Sequence, residues 1–580
     1  MTPDAVQPSV HEVKTVHAAK TALAALGERY FETQHSYDPY NATMLGITDF
    51  DHLPGDPSLA ASNRAAEDLA AIGSDAAAIV TTGLAAEDRV DHAVLTTLVE
   101  GARQDAEHSL WAGNASAKGY VSRQGLIFQA VPAMTVTDRE GEDRYLQRLS
   151  GLAGTFGALG DRYVEEAARG RVPTEVGVRH SIEQLEEHLA GSVSVDPLLR
   201  PIAHSVGSPT HARATAILEN AVRPAMGELA RRLRDELAPV ARPDDRVGIR
   251  EIPGGEEGYL ASVKRHTTTL MSPDEIHSVG LEVLREMMPQ WSEIGGATLG
   301  VTDFAEIAKR MRADPALRFE TSEQIVDVAQ AALDRANDAR SQWFPPYQIT
   351  ACVIEQISAA DAEHSALAYY RPPSVDGTRP GAHCLLATDP TTRYRFEYEA
   401  LAFHESVPGH HLQLASAQTL DIPRYRRYLD VEACSFNEGW GLYSEQFADE
   451  IGLYSDGIAR LGMLSFRALR ASRLVIDTGI HHYGWSREKA VAFMLDNTVT
   501  SEAHARSEID RYIAWPGQAL AYMTGCREIL RLRAEAQSAL GDRFSVADFH
   551  GVVLGSGAVP LTVLADSVTR WQQATLATAS

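Results

Sequence analysis

Apolar residues recur at three- and four-residue steps along most of this 580-residue chain, and Ala, Leu, Glu and Arg fill much of the rest. That period lines one face of an α-helix, and those residue types lose little freedom on entering one. A mainly helical fold follows. Several helix starts carry their own signals. Ser272-Pro273-Asp274-Glu275 joins an N-cap serine, a first-turn proline and a capping-box glutamate, while Thr321-Ser322-Glu323-Gln324 and Ser545-Val546-Ala547-Asp548 repeat parts of that chemistry. Extended structure is predicted over Tyr347–Ile357, where Ile349, Cys352, Val353 and Ile354 cluster, and again near His383–Ala387. Between them, Tyr369 to Gly377 reads as a loop because of its Pro-Pro and Asp-Gly pairs. A small sheet is therefore expected just before residue 404.

The chain is longer than one average domain. Stretches bearing Pro and Gly at Asp51–Asp56, Arg242–Gly255 and Trp343–Tyr347 are candidate boundaries. A division near Gly255 makes residues 1–255 an N-terminal helical lobe and 256–580 a catalytic lobe, an arrangement also compatible with one continuous fold.

Hydrophobic residues at 44% suffice for a large core, and the formal net charge of −25 repels phosphate backbones and anionic lipid. No Lys/Arg-rich run offsets that charge, so neither nucleic acid nor a membrane is an expected partner. Met1–Lys20 lacks the apolar core of a signal peptide, and no stretch approaches the roughly 18 to 20 apolar residues of a membrane span. Cys352, Cys384, Cys434 and Cys526 are scattered without C-x-x-C spacing, which points away from a disulfide framework or a thiolate metal site. A cytoplasmic location is expected. Nothing in these features indicates an oligomeric state.

The chemistry concentrates in His404-Glu405-Ser406-Val407-Pro408-Gly409-His410-His411, which follows a predicted helix over Tyr394–Phe403. A hydrolytic metal site needs two neutral imidazoles, a third ligand, an open position for water and a carboxylate to take that water's proton. Helical sites usually meet this need with histidines at i and i+4, yet here Pro408 holds the i+4 place. In an unbroken helix, residues six apart are separated by about 9 Å along the axis, too far for one ion bound at about 2 Å. Pro408 removes a helical N–H and Gly409 accepts unusual dihedrals, so the pair is expected to break the helix and let His410 swing back toward His404. His411 is the competing second imidazole. A helix end whose histidines merely meet the helix dipole is the alternative without a metal.

The third ligand is expected on a following helix. Cys434 to Glu445 offers Glu438 and Glu445, seven apart and so on one face. Glu438 is the better ligand candidate, beside Gly439 and Trp440, and Glu445 is expected to orient a ligand imidazole. Arg473, Asp477 and His481, four apart in turn, also share one helical face and suggest a buried ion-paired network supporting the site.

The His404 to Gln413 segment, with Asn437-Glu438-Gly439-Trp440-Gly441-Leu442-Tyr443, resembles the bacterial family called domain of unknown function 885. Asp477 to His482 with Gly484-Trp485-Ser486, Arg511 to Tyr522, the Tyr370 loop and Gly557 to Leu561 extend the resemblance over most of the chain. That family is distantly similar to helical zinc peptidases of the thermostable carboxypeptidase, angiotensin-converting enzyme and thimet oligopeptidase types. The resemblance implies a two-lobed helical metallopeptidase-like fold with a small sheet beside the active-site helix. It implies metal ligands His404, His410 and Glu438, with Glu405 as general base on a metal-activated water. It implies Tyr512 and Tyr522 as oxyanion donors and Arg511 and Gln518 as carboxylate-holding groups, while Tyr370 and Arg371 line the cleft. His411, Glu445, Asp477 and His481 would stand behind them. The implied ion is Zn2+, with Mn2+, Co2+ or Fe2+ also suited to the ligands, and the implied substrate is a short peptide or small amide. A lyase or cyclising enzyme acting on an amino-acid-derived metabolite, and a metal-free binding protein, are the alternatives to peptide hydrolysis.

Overall fold

The structure, a computed structural model, describes residues 10–119, 122–357, 366–374, 379–429 and 431–577. Helices dominate them, and the predicted starts are in place. Ser272 and Glu275 complete a reciprocal capping box, Thr321 accepts from the Gln324 N–H, and Ser545 accepts from the Asp548 N–H. Each arrangement satisfies backbone donors that the first helical turn leaves unpaired.

The sheet has three strands, β1 (Cys352–Gln356), β2 (Ala368–Arg371) and β3 (Gly381–Leu385), in the order β1-β3-β2. β1 runs parallel to β3 with Ile354 opposite His383, and β2 runs antiparallel to β3 with Tyr370 opposite His383. The loop expected from Tyr369 onward therefore begins as a strand. β3 is buried along its length and needs partners for its backbone on both sides, which draws Tyr369–Arg371 into the ladder until Pro372 and Pro373 end it. Residues 375–377 of that predicted loop lie outside the described residues.

Two large hydrophobic cores form among the described residues, beside two small clusters. The larger gathers Leu23 through Ala102 with Val247 through Val568, and so takes side chains from both sides of position 255. The second lies within residues 40–237 and includes Tyr145, Leu149, Phe156 and Leu229. Gly255 opens the Gly255–Thr267 helix. Among the described residues no helix is long and apolar enough to cross a membrane.

The helix predicted from Tyr394 starts at Tyr398, after a 3-10 turn at Arg395–Glu397, and every residue from Tyr398 to Glu405 is buried. Tyr394 is held extended by a backbone bridge to Arg318, whose guanidinium lies 3.6 Å from the Tyr394 ring centroid. The Cys434–Glu450 helix crosses the Ala521–Leu540 helix at two glycines. A Cβ on Gly525 would lie 1.7 Å from the Ser435 carbonyl oxygen, and one on Gly439 would lie 2.5 Å from the Gly525 Cα. This crossing sets the depth at which the Glu438 side chain sits. Gly525→Ala should lower unfolding stability by about 3 kcal/mol or more, because backbone opposes the added methyl. Urea unfolding measures it, and an unchanged midpoint would mean that the crossing has slack.

Candidate metal centre

The first helix of the site ends at Glu405. Ser406 turns away at φ −102°, ψ −124°, Gly409 at φ −76°, ψ −131°, and a second helix starts at His410. The corner between them is so tight that a Cβ on Gly409 would lie 1.9 Å from the His404 carbonyl oxygen. Trp440 fastens it by donating its indole N–H to the Pro408 carbonyl at 2.9 Å. In consequence the rings of His404 and His410 come to 4.7 Å between centroids, with their planes at 88°. The break expected from Pro408-Gly409 is present, and it gathers the two imidazoles.

Glu438 meets both. Its Oε2 lies 3.3 Å from His404 Nε2 and 3.6 Å from His410 Nε2, and one ligand atom from each of the three residues falls within 4.8 Å of the others. Donors about 2 Å from one tetrahedral ion stand roughly 3 to 4 Å apart, so the spacing fits a metal ion. On the far side of the ring, His404 Nδ1 and Glu445 Oε1 share a hydrogen bond of 2.7 Å. Gly441 makes the clamp possible: a Cβ there would lie 2.5 Å from His404 Cε1, where the imidazole rests between the two acids.

Charge follows geometry. Burial pulls His404 down, but Glu438 and Glu445 outweigh it and raise its pKa to about 9. Burial pushes Glu438 up, yet the two imidazoles hold it well below the usual carboxylate range. Burial raises Glu405, against the opposing pull of His404 and His410.

Of the two candidate second imidazoles, His410 faces Glu438. His411 turns to the sheet, its Nδ1 3.0 Å from the Tyr370 hydroxyl and its Nε2 3.0 Å from the Thr350 carbonyl. Tyr370 thus reaches the site through His411, while strand alternation sends Arg371 to the other face, where it pairs with Glu355 at 2.6 Å. Tyr522, half-buried, feels the Glu438 charge and lies under the Arg473 guanidinium, 4.2 Å from its ring centroid. Tyr512 is deeper: its hydroxyl accepts from Arg473 Nε at 2.8 Å and donates to Glu508 at 2.7 Å. Arg511 pairs with the same Glu508 and donates to Gln518 at 2.6 Å, and Gln518 donates to Cys434 Sγ at 3.3 Å.

Asp477 and His481 touch neither His404, His410 nor Glu438, and the ion-paired network expected with Arg473 does not form, because Arg473 pairs with Glu508. Asp477 accepts from the Tyr259 hydroxyl at 2.7 Å and the Gly517 N–H at 3.0 Å, while His481 accepts from the Ile249 N–H and donates to the Tyr512 carbonyl, each at 3.0 Å. They anchor the turn beyond Tyr512, and Glu445 is the group that orients the His404 imidazole. Sequence reasoning missed Arg470, whose Nη2 lies 3.6 Å from Glu445 Oε1, and Glu508, the acid joining Arg473, Arg511 and Tyr512. Both had a signal, since Arg470 precedes Arg473, and Glu508 precedes Arg511, by one helical turn on the same face.

A family model described as bacterial protein of unknown function (DUF885) matches residues 39–568. The chain belongs to this family. Among solved structures, a candidate lipoprotein from Colwellia psychrerythraea is 26% identical over 96% of this chain and 99% of its own, with a TM-score of 0.87. A candidate lipoprotein of unknown function from Shewanella oneidensis is 17% identical over 94% of this chain and 99% of its own, with a TM-score of 0.72, and shares the fold. No curated protein matches the sequence.

The Asp477 carboxyl, sealed from water, has its pKa raised to about 7, chiefly by burial and against the hydrogen bonds from Tyr259 and Gly517. A carboxyl that binds its proton more tightly when folded stabilises fully below its unfolded pKa and loses that contribution as pH rises toward the folded value. From pH 4 to 7, wild-type stability should therefore fall relative to that of Asp477→Asn by an amount on the order of a few kcal/mol. Parallel pH-stability curves for the two proteins would show the burial penalty to be absent.

Proposed function

We propose that this DUF885 protein is a metal-dependent hydrolase that cleaves amide bonds in short peptides, with His404, His410 and Glu438 holding a zinc ion. The observation that carries the reading is the convergence of two imidazoles and one carboxylate across a helix break, beside a buried glutamate. A divalent ion held there supplies Lewis acidity, which acidifies water and polarises a carbonyl. Two nitrogens and one oxygen also suit Mn2+, Co2+ or Fe2+.

The chain's own groups do the rest. Glu405 accepts the proton of the attacking water as the new C–O bond forms, then delivers it to the nitrogen as the C–N bond breaks. Burial raises its proton affinity, which suits a group that must both take and return a proton. Tyr522, whose hydroxyl feels the Glu438 charge, donates that hydroxyl to the oxygen that gains charge. Arg473 and Arg511 outnumber Glu508 in charge and favour a substrate carboxylate near Tyr522, with Gln518 holding Arg511 in place. Tyr512 serves as the rigid partner of Arg473. In this reading the two hydrophobic cores belong to two lobes, and the cleft of a two-lobed metallopeptidase-like body admits short chains in preference to folded proteins.

Elemental analysis of protein purified without chelator, with and without Glu405→Gln, tests this directly. Both forms should carry close to one equivalent of metal, while the variant should lose roughly 100-fold or more of its turnover on a dipeptide-to-decapeptide mixture followed by mass spectrometry. Turnover equal to wild type would remove Glu405 from the mechanism, and metal-free wild-type protein would remove the centre itself. Fractionation of the producing cells separates the cytoplasmic location expected from the sequence from the membrane attachment that the relatives' descriptions suggest.

A further inference from the structure

Away from the metal centre, a cavity of about 210 Å³ lies between the Val10–Tyr37, Ala86–His108 and Gly255–Thr267 helices and the Val431–Ala433 turn. None of the metal-centre residues lines it. A water's share of liquid volume is about 30 Å³, so the space suits a molecule of roughly six to ten non-hydrogen atoms.

Its lining is chemically specific. Tyr30 is 3% exposed, and its hydroxyl has no hydrogen-bond partner. A sealed donor without an acceptor costs about 1 to 3 kcal/mol, which argues for an acceptor supplied from outside. The hydroxyl feels the charges of both Glu432 and Arg265. Lys264, exposed at the rim, has no ion pair among the described residues, and Leu98 adds an apolar surface. Gly101 lets the Arg265 stem lie across the wall, since a Cβ there would come within 3.2 Å of Arg265 Cγ. The Glu432 carboxylate is steadied by the Asn41 amide at 3.0 Å.

Two cations, Lys264 and Arg265, the latter also paired with Asp105 at 2.6 Å, share a space of amino-acid size with the Tyr30 phenol and two carboxylates, of which Glu100 accepts from Arg103 at 2.9 Å and Gln104 at 2.7 Å and Glu432 is the second. We propose that this cavity binds a free α-amino acid, its carboxylate held by Lys264, Arg265 and the Tyr30 hydroxyl and its ammonium group by Glu432. The proposal does not depend on the hydrolytic reading.

Titration calorimetry at pH 7 tests it with glycine, L-alanine and L-leucine in turn, and with acetate and methylammonium as the two halves of the ligand. At least one amino acid should bind saturably at one site, and each half roughly tenfold or more weaker. Tyr30→Phe and Glu432→Gln should each weaken binding about fivefold to tenfold while unfolding at the wild-type midpoint, and Lys264→Ala provides a third, surface-exposed variant. Glu438→Gln, which alters the metal centre, should bind as wild type does. The proposal is overturned by absence of saturable binding of all three amino acids, by binding that none of the cavity substitutions weakens, by loss of binding in Glu438→Gln alone, or by acetate binding as tightly as the amino acid.

Discussion

The contact between the missing side chain of Gly409 and the carbonyl of His404 governs the geometry of everything around it. Two imidazoles six residues apart meet only if the chain reverses within four residues, and such a corner leaves no room for a Cβ. The same corner is tied by Trp440, two residues after Glu438, so one helix positions both the bend and the acid that faces it. The two imidazoles and the carboxylate are therefore placed by shared rigid elements, not by three independent side-chain choices. Sites built this way hold their geometry because helices, not loops, carry the donors.

That rigidity has an electrostatic consequence. Glu405, Glu438 and Glu445 are gathered around His404 in a largely buried region, and carboxylates leave water at a cost of several kcal/mol each unless cations meet them. The imidazoles answer part of this, and Arg470 adds a guanidinium 3.6 Å from Glu445. Glu438 is the most exposed of the acids facing the two imidazoles, at 21% of its side chain, and it turns toward both ring nitrogens. A divalent cation at the point where those three donors converge would meet the remaining negative charge without any rearrangement of the backbone.

What could be read in advance was what depends on neighbours along the chain. Ser272 with Glu275 states a helix start in four residues, Pro408 with Gly409 states a break in two, and Glu438 with Glu445 states a shared face in two turns. The choice between His410 and His411 was not legible, because adjacent residues on a helix point about 100° apart and the direction of the corner decides which one turns inward. Nor were the partners of Asp477 and His481, since Tyr259, Ile249 and Gly517 reach them only through tertiary packing. Strand β2 was hidden for a related reason. Tyr369–Arg371 becomes a strand only because β3 presents an unpaired edge beside it.

The same distinction separates the two tyrosines that the sequence treated as equals. Tyr512 lies on the Glu502–Ala514 helix facing Arg473 and Glu508, and its hydroxyl is committed as both donor and acceptor. Tyr522 opens the Ala521–Leu540 helix, which the Gly439–Gly525 crossing presses against the Glu438 helix, so its ring comes under the Arg473 guanidinium while its hydroxyl feels the charge of Glu438. Glu508 links these arrangements. By holding Arg473 and Arg511 together it fixes the cation over Tyr522, and through Arg511, Gln518 and Cys434 it reaches the first turn of the helix that bears Glu438. An acid that touches neither imidazole thus determines how the aromatic wall and the Glu438 helix face each other.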